Sequence, residues 1–391
     1  MEQLNKSLIV VKIGTSSLTW DNGEIHTDKI KNIVRQVAAL KKEGHHVIIV
    51  TSGSIAAGFR QLGYRERPKT IPAKQACAAV GQGILMEEYN KAFLEYGHVC
   101  AQILLTRGDF TDKRRYQNIF NSLLILLKKS AVPIINENDT ISIEELKFGD
   151  NDTLSARVAA LVHADLLVLL TDIDGLYTAD PKIDTQARRI DVVEEITPQI
   201  EALAGSATNS NAIGGMKSKL SAAHISVMAG VPVLICSSQE EDSIIKAANG
   251  TVQGTYFKAA ANNLNTKLQW MAFYSPSKGI IYIDEGAVDA LKNKGKSLLP
   301  SGIVTIEGKF EANDVVKVRD LCGNDIGKGI CNYSCTDLER IKGLKSAEIE
   351  NLGKLRIDAS LDKYHTQKPK TEVIHRDNWI SLKKLNGTNE G

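Results

Sequence analysis

One stretch of the sequence determines the fold: Val132-Pro-Ile-Ile-Asn-Glu-Asn-Asp139, then a second acidic-amide cluster, Gly149-Asp-Asn-Asp152, then the apolar run Leu166-Leu-Val-Leu-Leu170. The first cluster follows an apolar run typical of a buried strand, and the second opens a helical pattern that ends at His163. A strand, a helix and another strand in this order predict a parallel sheet with helical crossovers. Because ligands bind outside the carboxyl ends of such strands, both polar clusters are candidate binding residues.

The alternation of strands and helices continues on both sides of this stretch. Short apolar runs predict strands at Leu8–Ile13, Val47–Val50, Val99–Leu105, Val132–Ile135, Leu166–Leu170 and Val231–Ile235. Apolar residues at helical spacing predict a first helix that Thr27 caps and Gly44 stops. The same spacing predicts helices at about Ala73–Tyr96 and at Tyr116–Lys129, Thr153–His163 and Ser218–Met228. Strands that are apolar throughout are covered on both faces, so we expect an α/β fold, a three-layer αβα sandwich around a mostly parallel sheet.

The pattern changes after about Trp270. Four short strand-like runs and one helix, about Gly286–Asn293, predict a small, mainly-β, barrel-like domain. The runs are Gly279–Asp284, Val304–Ile306, Val315–Arg319 and Asp325–Tyr333. A chain of 391 residues is too long for one compact core. We therefore expect an α/β domain over 1–260, the small domain over 278–358 and a polar C-terminal extension over 359–391.

Composition argues against several classes of protein. The net charge of +2 gives no basic excess of the kind that nucleic-acid binding needs. The longest apolar run is far too short to span a membrane, and no signal peptide is recognisable at the start, so we expect a cytoplasmic protein. None of the six cysteines has a partner at CxxC spacing, which favours reduced, mostly buried thiols.

Three glycine-containing segments are candidate anion sites, although each type also occurs without a ligand. In Lys12-Ile-Gly-Thr-Ser-Ser17, Gly14 would permit a tight turn whose amides face phosphate oxygens. The small residues of Thr51-Ser-Gly-Ser54 allow a carboxylate or phosphate to approach the backbone. Gly214-Gly-Met-Lys-Ser-Lys219 is predicted to open a helix, where the helix terminus and two lysines attract anions. A fourth segment, 170–181, is either a nucleotide-binding loop or an ordinary long loop.

Taken in order, these motifs closely resemble the amino acid kinase family, and within it the enzymes that phosphorylate glutamate. The matching runs are Val11–Ser16, Val50–Gly53, Ile135–Asp139, Gly149–Asp152, Leu170–Asp172, Gly175–Pro181 and Gly214–Lys219. Asp284–Gly286 and Ser297–Ile303 resemble the PUA domain that many bacterial members carry. The resemblance covers nearly the whole chain. It implies ATP-dependent phosphorylation of the γ-carboxylate of L-glutamate to L-glutamyl 5-phosphate, the first step of proline biosynthesis.

The resemblance also implies roles for the matching residues. Lys12 and Lys219 would flank the phosphoryl group during transfer, with Asp152 orienting both lysines. The implied glutamate-binding residues are Ser52, Gly53, Asp139, Asp150 and Asn151. The implied ATP-binding residues are Lys12, Gly14, Thr171, Asp172, Ile213, Gly214, Gly215, Met216, Lys217, Ser218 and Lys219. Mg²⁺ would be carried with ATP, without a dedicated protein metal site. Two features depart from the family: Ile213 replaces a small polar residue, and 356–372 resembles an insertion.

The family resemblance further implies proline as a feedback inhibitor, a homo-oligomer (dimer or tetramer) and functional coupling to glutamate-5-semialdehyde dehydrogenase. Three alternatives stay open. The acceptor could be aspartate, acetylglutamate, carbamate or a nucleotide, although the two acidic-amide clusters argue against this. The PUA-like domain could bind RNA, against which the near-neutral charge after Lys278 argues. The chain could be an inactive regulatory homologue, which the presence of both Lys12 and Lys219 disfavours.

Overall fold

The computed structural model describes residues 6–20, 22, 24–142, 151–181, 183–204, 210–260, 266–345, 348 and 371–381. The chain divides into two compact units, residues 1–263 and 264–391. No helix in the described ranges is both long and apolar enough to cross a lipid bilayer.

The first unit is built on an eight-stranded sheet. Its strands are β1 (Leu8–Ile13), β2 (His46–Val50), β3 (Cys100–Leu105), β4 (Val132–Glu137), β5 (Leu166–Thr171), β6 (Val192–Val193), β7 (Val233–Ser237) and β8 (Gly254–Phe257). They lie in the order β3-β4-β2-β1-β5-β7-β8-β6. Every neighbouring pair is parallel except β7 and β8, which confirms the mostly parallel sheet. The two strands β6 and β8 were not predicted.

Helices cover both faces of this sheet. They are α1 (Thr27–Lys42), α2 (Ser54–Gly58), α3 (Ile71–Leu94), α4 (Arg107–Thr111), α5 (Lys113–Lys128), α6 (Asn151–Leu161), α7 (Pro198–Leu203), α8 (Ser210–Met228) and α9 (Ser243–Ala248). All six residues of β5 are buried, and because successive side chains of a strand point to opposite faces, both faces are covered. The observed arrangement is therefore the predicted three-layer sandwich.

The first helix differs from the prediction at its start. Thr27 is the first residue of α1, and the capping position belongs to His26, whose side chain makes no capping hydrogen bond. The predicted cap at Thr27 is therefore wrong by one residue; its hydroxyl instead donates to Glu88 Oε2 on α3 at 3.0 Å. The predicted end is confirmed, because α1 ends at Lys42 and Gly44 adopts a φ of +95°, which favours glycine.

The second unit contains a separate five-stranded sheet in the order β10-β9-β11-β12-β13. Its elements are α10 (Thr266–Gln269), β9 (Gly279–Ile283), α11 (Glu285–Lys292), β10 (Ile303–Gly308), β11 (Val315–Arg319), β12 (Asp325–Ile330), α12 (Cys335–Ile341) and β13 (Trp379–Ser381). The last strand comes from residues 371–381, within the segment predicted to be an extension, and pairs antiparallel with β12. Val373 and Ile374, from the same segment, are fully buried in the core of this unit.

Candidate functional site

The register of the first sheet brings three of the predicted motifs to one edge. Lys12 on β1 lies between Val50 on β2 and Leu169 on β5. The segments that follow these three parallel strands therefore begin side by side at the carboxyl edge of the sheet, where open α/β sheets bind ligands. They are the turn after β1, the glycine-containing turn after β2 and the predicted ATP residues after β5.

Two lysines from distant parts of the chain share one buried carboxylate. Lys12 Nζ lies 2.6 Å from Asp152 Oδ1, and Lys219 Nζ lies 3.2 Å from Asp152 Oδ2. Asp152 is 2% exposed and each lysine 8%. The Ser218 hydroxyl donates a further hydrogen bond to Asp152 Oδ2 at 2.9 Å. The arrangement concentrates two cations and one anion at the sheet edge.

The local folding of three elements explains this cluster. Along β1, Ile9, Val11 and Ile13 pack into the core with α1 and α3. Lys12 therefore points to the opposite face of the sheet, where α6 packs against β1 and β5. Asp152 is the second residue of α6, so its carboxylate sits at the end of that helix nearest the strand ends.

The electrostatics of Asp152 follow from this packing. Burial alone raises the pKa of its carboxyl group, because the charged form loses its hydration. The charges of Lys12 and Lys219 and the hydrogen bond from Ser218 outweigh that effect and hold the pKa below its ordinary value of 3.8. Asp152 is therefore ionised at neutral pH, which suits a group that orients lysines, and its lowered pKa makes it a weak general base.

The predicted glutamate-binding residues Ser52 and Asn151 are in direct contact. Asn151 Nδ2 lies 2.9 Å from Ser52 Oγ, 2.7 Å from the carbonyl oxygen of Thr51 and 2.9 Å from Asn136 Oδ1. Gly53, between Ser52 and α2, has a φ of +99°, which an L side chain rarely adopts. The side-chain amide of Asn151, the first residue of α6, thus hydrogen-bonds to the turn after β2.

Two further residues, Asp139 and Asp150, complete the predicted glutamate-binding set. Asp139 follows β4, and its Oδ2 accepts a hydrogen bond from the Ser54 hydroxyl at 3.2 Å, beside the turn after β2. Asp150 lies outside the described residues. The structure therefore brings Ser52, Gly53, Asn151 and Asp139 to one place.

The backbone at Gly14 does not require glycine. Its φ is −75°, which any residue can adopt, so the expectation of a glycine-dependent tight turn is wrong. A Cβ atom at this position would stand 3.9 Å from Lys12 Nζ. A methyl group would fit there in ordinary contact, and glycine leaves the space beside the ammonium group unfilled.

Asp172, one of the predicted ATP residues after β5, borders a cavity. The Thr171 hydroxyl donates to Asp172 Oδ1 at 2.9 Å, and Thr171 O accepts from the amide of Ser238 at 2.7 Å. A cavity of about 130 Å³ lies beside Asp172 and the turn after β1, with Ser17 and Lys29 in its wall. Hydroxyl, ammonium and carboxylate groups line it together with the apolar side chains of Ile33 and Leu170, so it suits a ligand with both polar and apolar parts.

The Gly214–Lys219 segment lies within a helix. Because α8 begins at Ser210, the predicted helix start at Gly214 is wrong. Only the first four amides of an α-helix lack intrahelical partners, and Gly214 is the fifth residue, so this segment presents side chains and not free amides. The side chain of Ile213 is outside the description; Met216 is half-buried and Lys217 exposed. A Cβ at Gly215 would meet nothing within 4 Å.

One buried residue of this region was missed. Gln82 on α3 is 8% exposed, and its Oε1 accepts a hydrogen bond from Asn136 Nδ2 at 2.9 Å. The signal was present in the sequence: Gln82 is the polar member of an apolar helical stripe that includes Ala78, Leu85 and Met86. A buried polar group in such a stripe needs a hydrogen-bond partner. The partner here is Asn136, which in turn contacts the predicted glutamate-binding residue Asn151.

No group of three or more His, Cys, Asp or Glu residues in the described ranges is arranged to hold a metal ion. Among the candidate ATP residues, Asp172 offers a carboxylate and Thr171 a hydroxyl group as oxygen ligands. These are hard ligands of the kind that suit a divalent cation bound mainly by phosphates.

Comparison with known proteins gives two family matches. Residues 7–237 match the Amino acid kinase family, and residues 279–353 match the PUA domain. Over 375 residues the chain is 50% identical to the "Glutamate 5-kinase" of Streptococcus sanguinis (strain SK36), covering 96% of each chain. It is 49% identical to the protein of the same name from Streptococcus pneumoniae (strain 70585), again covering 96% of each.

Proposed function

The chain belongs to the amino acid kinase family, and we propose that it transfers the γ-phosphoryl group of ATP to the γ-carboxylate of L-glutamate. The product is L-glutamyl 5-phosphate, and the reaction is the first step of proline biosynthesis. The observation that carries this proposal is the pair of buried lysines held by Asp152 next to Asn151 and Ser52. The choice of glutamate is supported by relatives of 49–50% identity named for that activity.

The acceptor needs little chemical activation. The γ-carboxylate of glutamate is an anion at neutral pH and attacks without losing a proton. One of its oxygens forms a bond to the γ-phosphorus while the bond from that phosphorus to the bridging oxygen of ADP breaks, and the electron pair leaves with ADP. Catalysis then consists of alignment and neutralisation of charge.

Lys12 and Lys219 supply that neutralisation. Their ammonium groups approach the transferring phosphoryl group from β1 and from α8, and stabilise the charge on its equatorial oxygens. Asp152 holds both ammonium groups in place, and its own charge offsets one of theirs, so that burying the pair in the absence of substrate costs less. Asp152 is thus a positioning residue for both lysines.

Glutamate is held by the residues around the turn after β2. Ser52, Gly53, Asp139, Asp150 and Asn151 form its site, with carboxylate and amide oxygens accepting hydrogen bonds from the α-ammonium group. Thr171, Asp172 and the α8 residues from Ile213 to Lys219 hold ATP, with Gly14 leaving room beside Lys12. A Mg²⁺ ion carried by the ATP phosphates would add positive charge at the leaving group.

Four wider properties are proposed on the strength of the family resemblance. The enzyme works in the cytoplasm as a homo-oligomer, dimer or tetramer. Proline inhibits it, and it is functionally coupled to glutamate-5-semialdehyde dehydrogenase. We also propose a catalytic domain at 1–260 and a PUA domain that begins at 278, and we extend the latter beyond 358 because residues 371–381 contribute a strand and buried core residues to the second unit.

The test is acyl phosphate formation by the purified chain. ADP release is measured with Mg-ATP and hydroxylamine, which converts an acyl phosphate to a hydroxamate, using L-glutamate, L-aspartate, N-acetyl-L-glutamate or no acceptor. Hydroxamate with glutamate alone is the expected result. Turnover with another acceptor and none with glutamate would overturn the substrate, and no turnover with any acceptor would overturn the activity.

A further inference from the structure

Three side-chain amides form a chain from the proposed glutamate site into α3. Asn151 Nδ2 donates to Asn136 Oδ1, and Asn136 Nδ2 donates to Gln82 Oε1, both at 2.9 Å. Asn136 is 1% exposed and Gln82 8%. In such a buried network, the orientation of each amide depends on that of its neighbour.

The hydrogen bonds fix the direction of this chain. Asn136 Oδ1 accepts a second hydrogen bond, at 2.9 Å, from the backbone amide of Glu137. Two N–H donors therefore hold the oxygen of Asn136 on one side, and its nitrogen must face Gln82. Gln82 must in turn present its oxygen, since two facing NH₂ groups cannot bond.

The hydrogen bonds of Asn151 also fix the orientation of its side-chain amide. The nitrogen of Asn151 already faces three acceptors: Thr51 O, Ser52 Oγ and Asn136 Oδ1. Among the described residues none donates to Asn151 Oδ1 at hydrogen-bonding distance. The oxygen is therefore the atom of this amide that remains for a ligand, and it suits a donor such as an ammonium group.

We propose that Gln82 is a positioning residue for the amino-acid substrate. Gln82 orients Asn136, which orients Asn151 so that its oxygen accepts a hydrogen bond from the substrate α-ammonium group. This inference rests on the proposed function and deepens it, because it names the atom that recognises the amino group and the buried residue that aims it.

The unpaired side-chain nitrogen of Gln82 argues that this residue does more than fill space in the core. Its Nε2 is buried and has no hydrogen-bond partner among the described residues. An unpaired buried N–H is unfavourable, so an apolar side chain would pack at this position of the α3 stripe without that cost. What glutamine provides and an apolar residue lacks is the acceptor oxygen that faces Asn136.

The central test is Gln82→Met, which keeps the length of the side chain and removes the acceptor. Leaving a buried N–H of Asn136 unpaired lets the amides rotate, and we expect the KM for glutamate to rise roughly tenfold. The KM for ATP should stay within about twofold, because Lys12, Lys219 and Asp152 are untouched. Gln82→Glu keeps an oxygen facing Asn136 and should retain a KM for glutamate within about threefold of the parent.

Gln36 offers a matched control. It is a glutamine on α1 that is 2% exposed and accepts one hydrogen bond, at 2.8 Å, from the backbone amide of Ile244. Gln36→Met removes an equally buried acceptor elsewhere in the same unit. Both substitutions leave one buried N–H donor unpaired, so both should lower Tm, but Gln36→Met should not increase the KM for glutamate.

A double-mutant cycle tests whether Gln82 acts through Asn151. In an Asn151→Ala background, Gln82→Met should raise the KM for glutamate by less than about twofold, because the residue that it aims is gone. The proposal is overturned if Gln82→Met keeps the parental KM, or if its effect persists undiminished in that background. Should Gln82→Met fail to fold, a tenfold KM increase in Gln82→Glu would overturn it. A parent enzyme that does not phosphorylate glutamate refutes the proposed function instead.

Discussion

Gly58 on α2 and Gly81 on α3 lie so close together that neither position can carry a side chain. A Cβ atom on Gly58 would stand 1.9 Å from the carbonyl oxygen of Cys77, and one on Gly81 would stand 1.8 Å from that of Ser54. Because Ser54 begins α2 directly after the turn that carries Ser52, this contact fixes the proposed glutamate site against α3, the helix that carries Gln82.

Gly81→Ala should therefore damage both stability and substrate binding. The new methyl group meets backbone atoms, so α2 and α3 must separate, and we expect a loss of about 2 kcal/mol in the free energy of unfolding. The KM for glutamate should rise as well. Gly83→Ala is the control on the same helix: a Cβ there meets nothing within 4 Å, and the free energy of unfolding should increase slightly. Urea denaturation and glutamate kinetics check both variants.

Lys219→Ala should abolish most of the turnover in a folded protein. Removing one preorganised charge from the transition state commonly lowers kcat by ~10²–10³-fold. Lys91→Ala, at an exposed helix position paired with Glu87 and Glu88, serves as the control and should keep parental activity. Circular dichroism establishes folding. Activity of Lys219→Ala within a few-fold of the parent would remove this residue from the phosphoryl site.

Asp152→Asn should lower stability in a pH-dependent manner. The pKa of Asp152 in the folded protein is below 3.8, so its ionised form stabilises the fold above that pH, and this stabilisation is lost as the pH falls through the lowered pKa. Leaving two lysines without their buried partner should cost about 3 kcal/mol. The difference from the parent should be constant from about pH 8 to about pH 5 and shrink below about pH 4. Urea unfolding across this range measures it; a difference that grows on acidification would contradict the assignment.

Asn151→Ala and Asp139→Ala should affect glutamate far more than ATP. Each change removes a side chain that hydrogen-bonds to the turn after β2 and leaves the lysine cluster in place, so the KM for glutamate should rise about tenfold or more. The KM for ATP should change by less than about threefold. Equal increases in both constants would exclude these side chains from a glutamate-specific role.

Ile374→Ala should destabilise the second unit and spare catalysis. Ile374 is fully buried in the core of that unit, so truncation should cost about 2–4 kcal/mol of its free energy of unfolding. Leu321→Ala, at a residue of the same unit that is 62% exposed, should change stability by less than about 0.5 kcal/mol. Thermal unfolding distinguishes the two variants. Equal melting profiles would mean that residues 371–381 do not belong to this core.

The parallel core of the first unit was predictable because its strands are apolar throughout. Leu8–Ile13 and Leu166–Leu170 were predicted to within a residue of the observed β1 and β5. The short β6 and the antiparallel β8 carry no such run: only one of the two residues of β6 is buried, and β8 begins at a glycine. Their position depends on tertiary pairing and not on local pattern.

The charged part of the site was predictable, and its supporting network was not. The position of Asp152 near Lys12 and Lys219 was implied by the family resemblance that the ordered motifs carry. The amide chain through Asn136 to Gln82 depends on where α3 crosses the strand ends, which no spacing in the sequence specifies. The wrong helix start at Gly214 has a similar cause, because glycines at the end of a helical pattern favour a boundary that tertiary packing can override.

The strand β13 also sets the order in which the chain can fold during synthesis. The sheet of the first unit has all its strands once residue 257 has been made. The second unit cannot complete its sheet or fill its core until residues 371–381 emerge, long after β12 at 325–330. During synthesis, the first unit can therefore complete its phosphoryl-transfer fold before the second unit does. Until residues 371–381 emerge, the edge of β12 in the second unit is open to pairing with other strands.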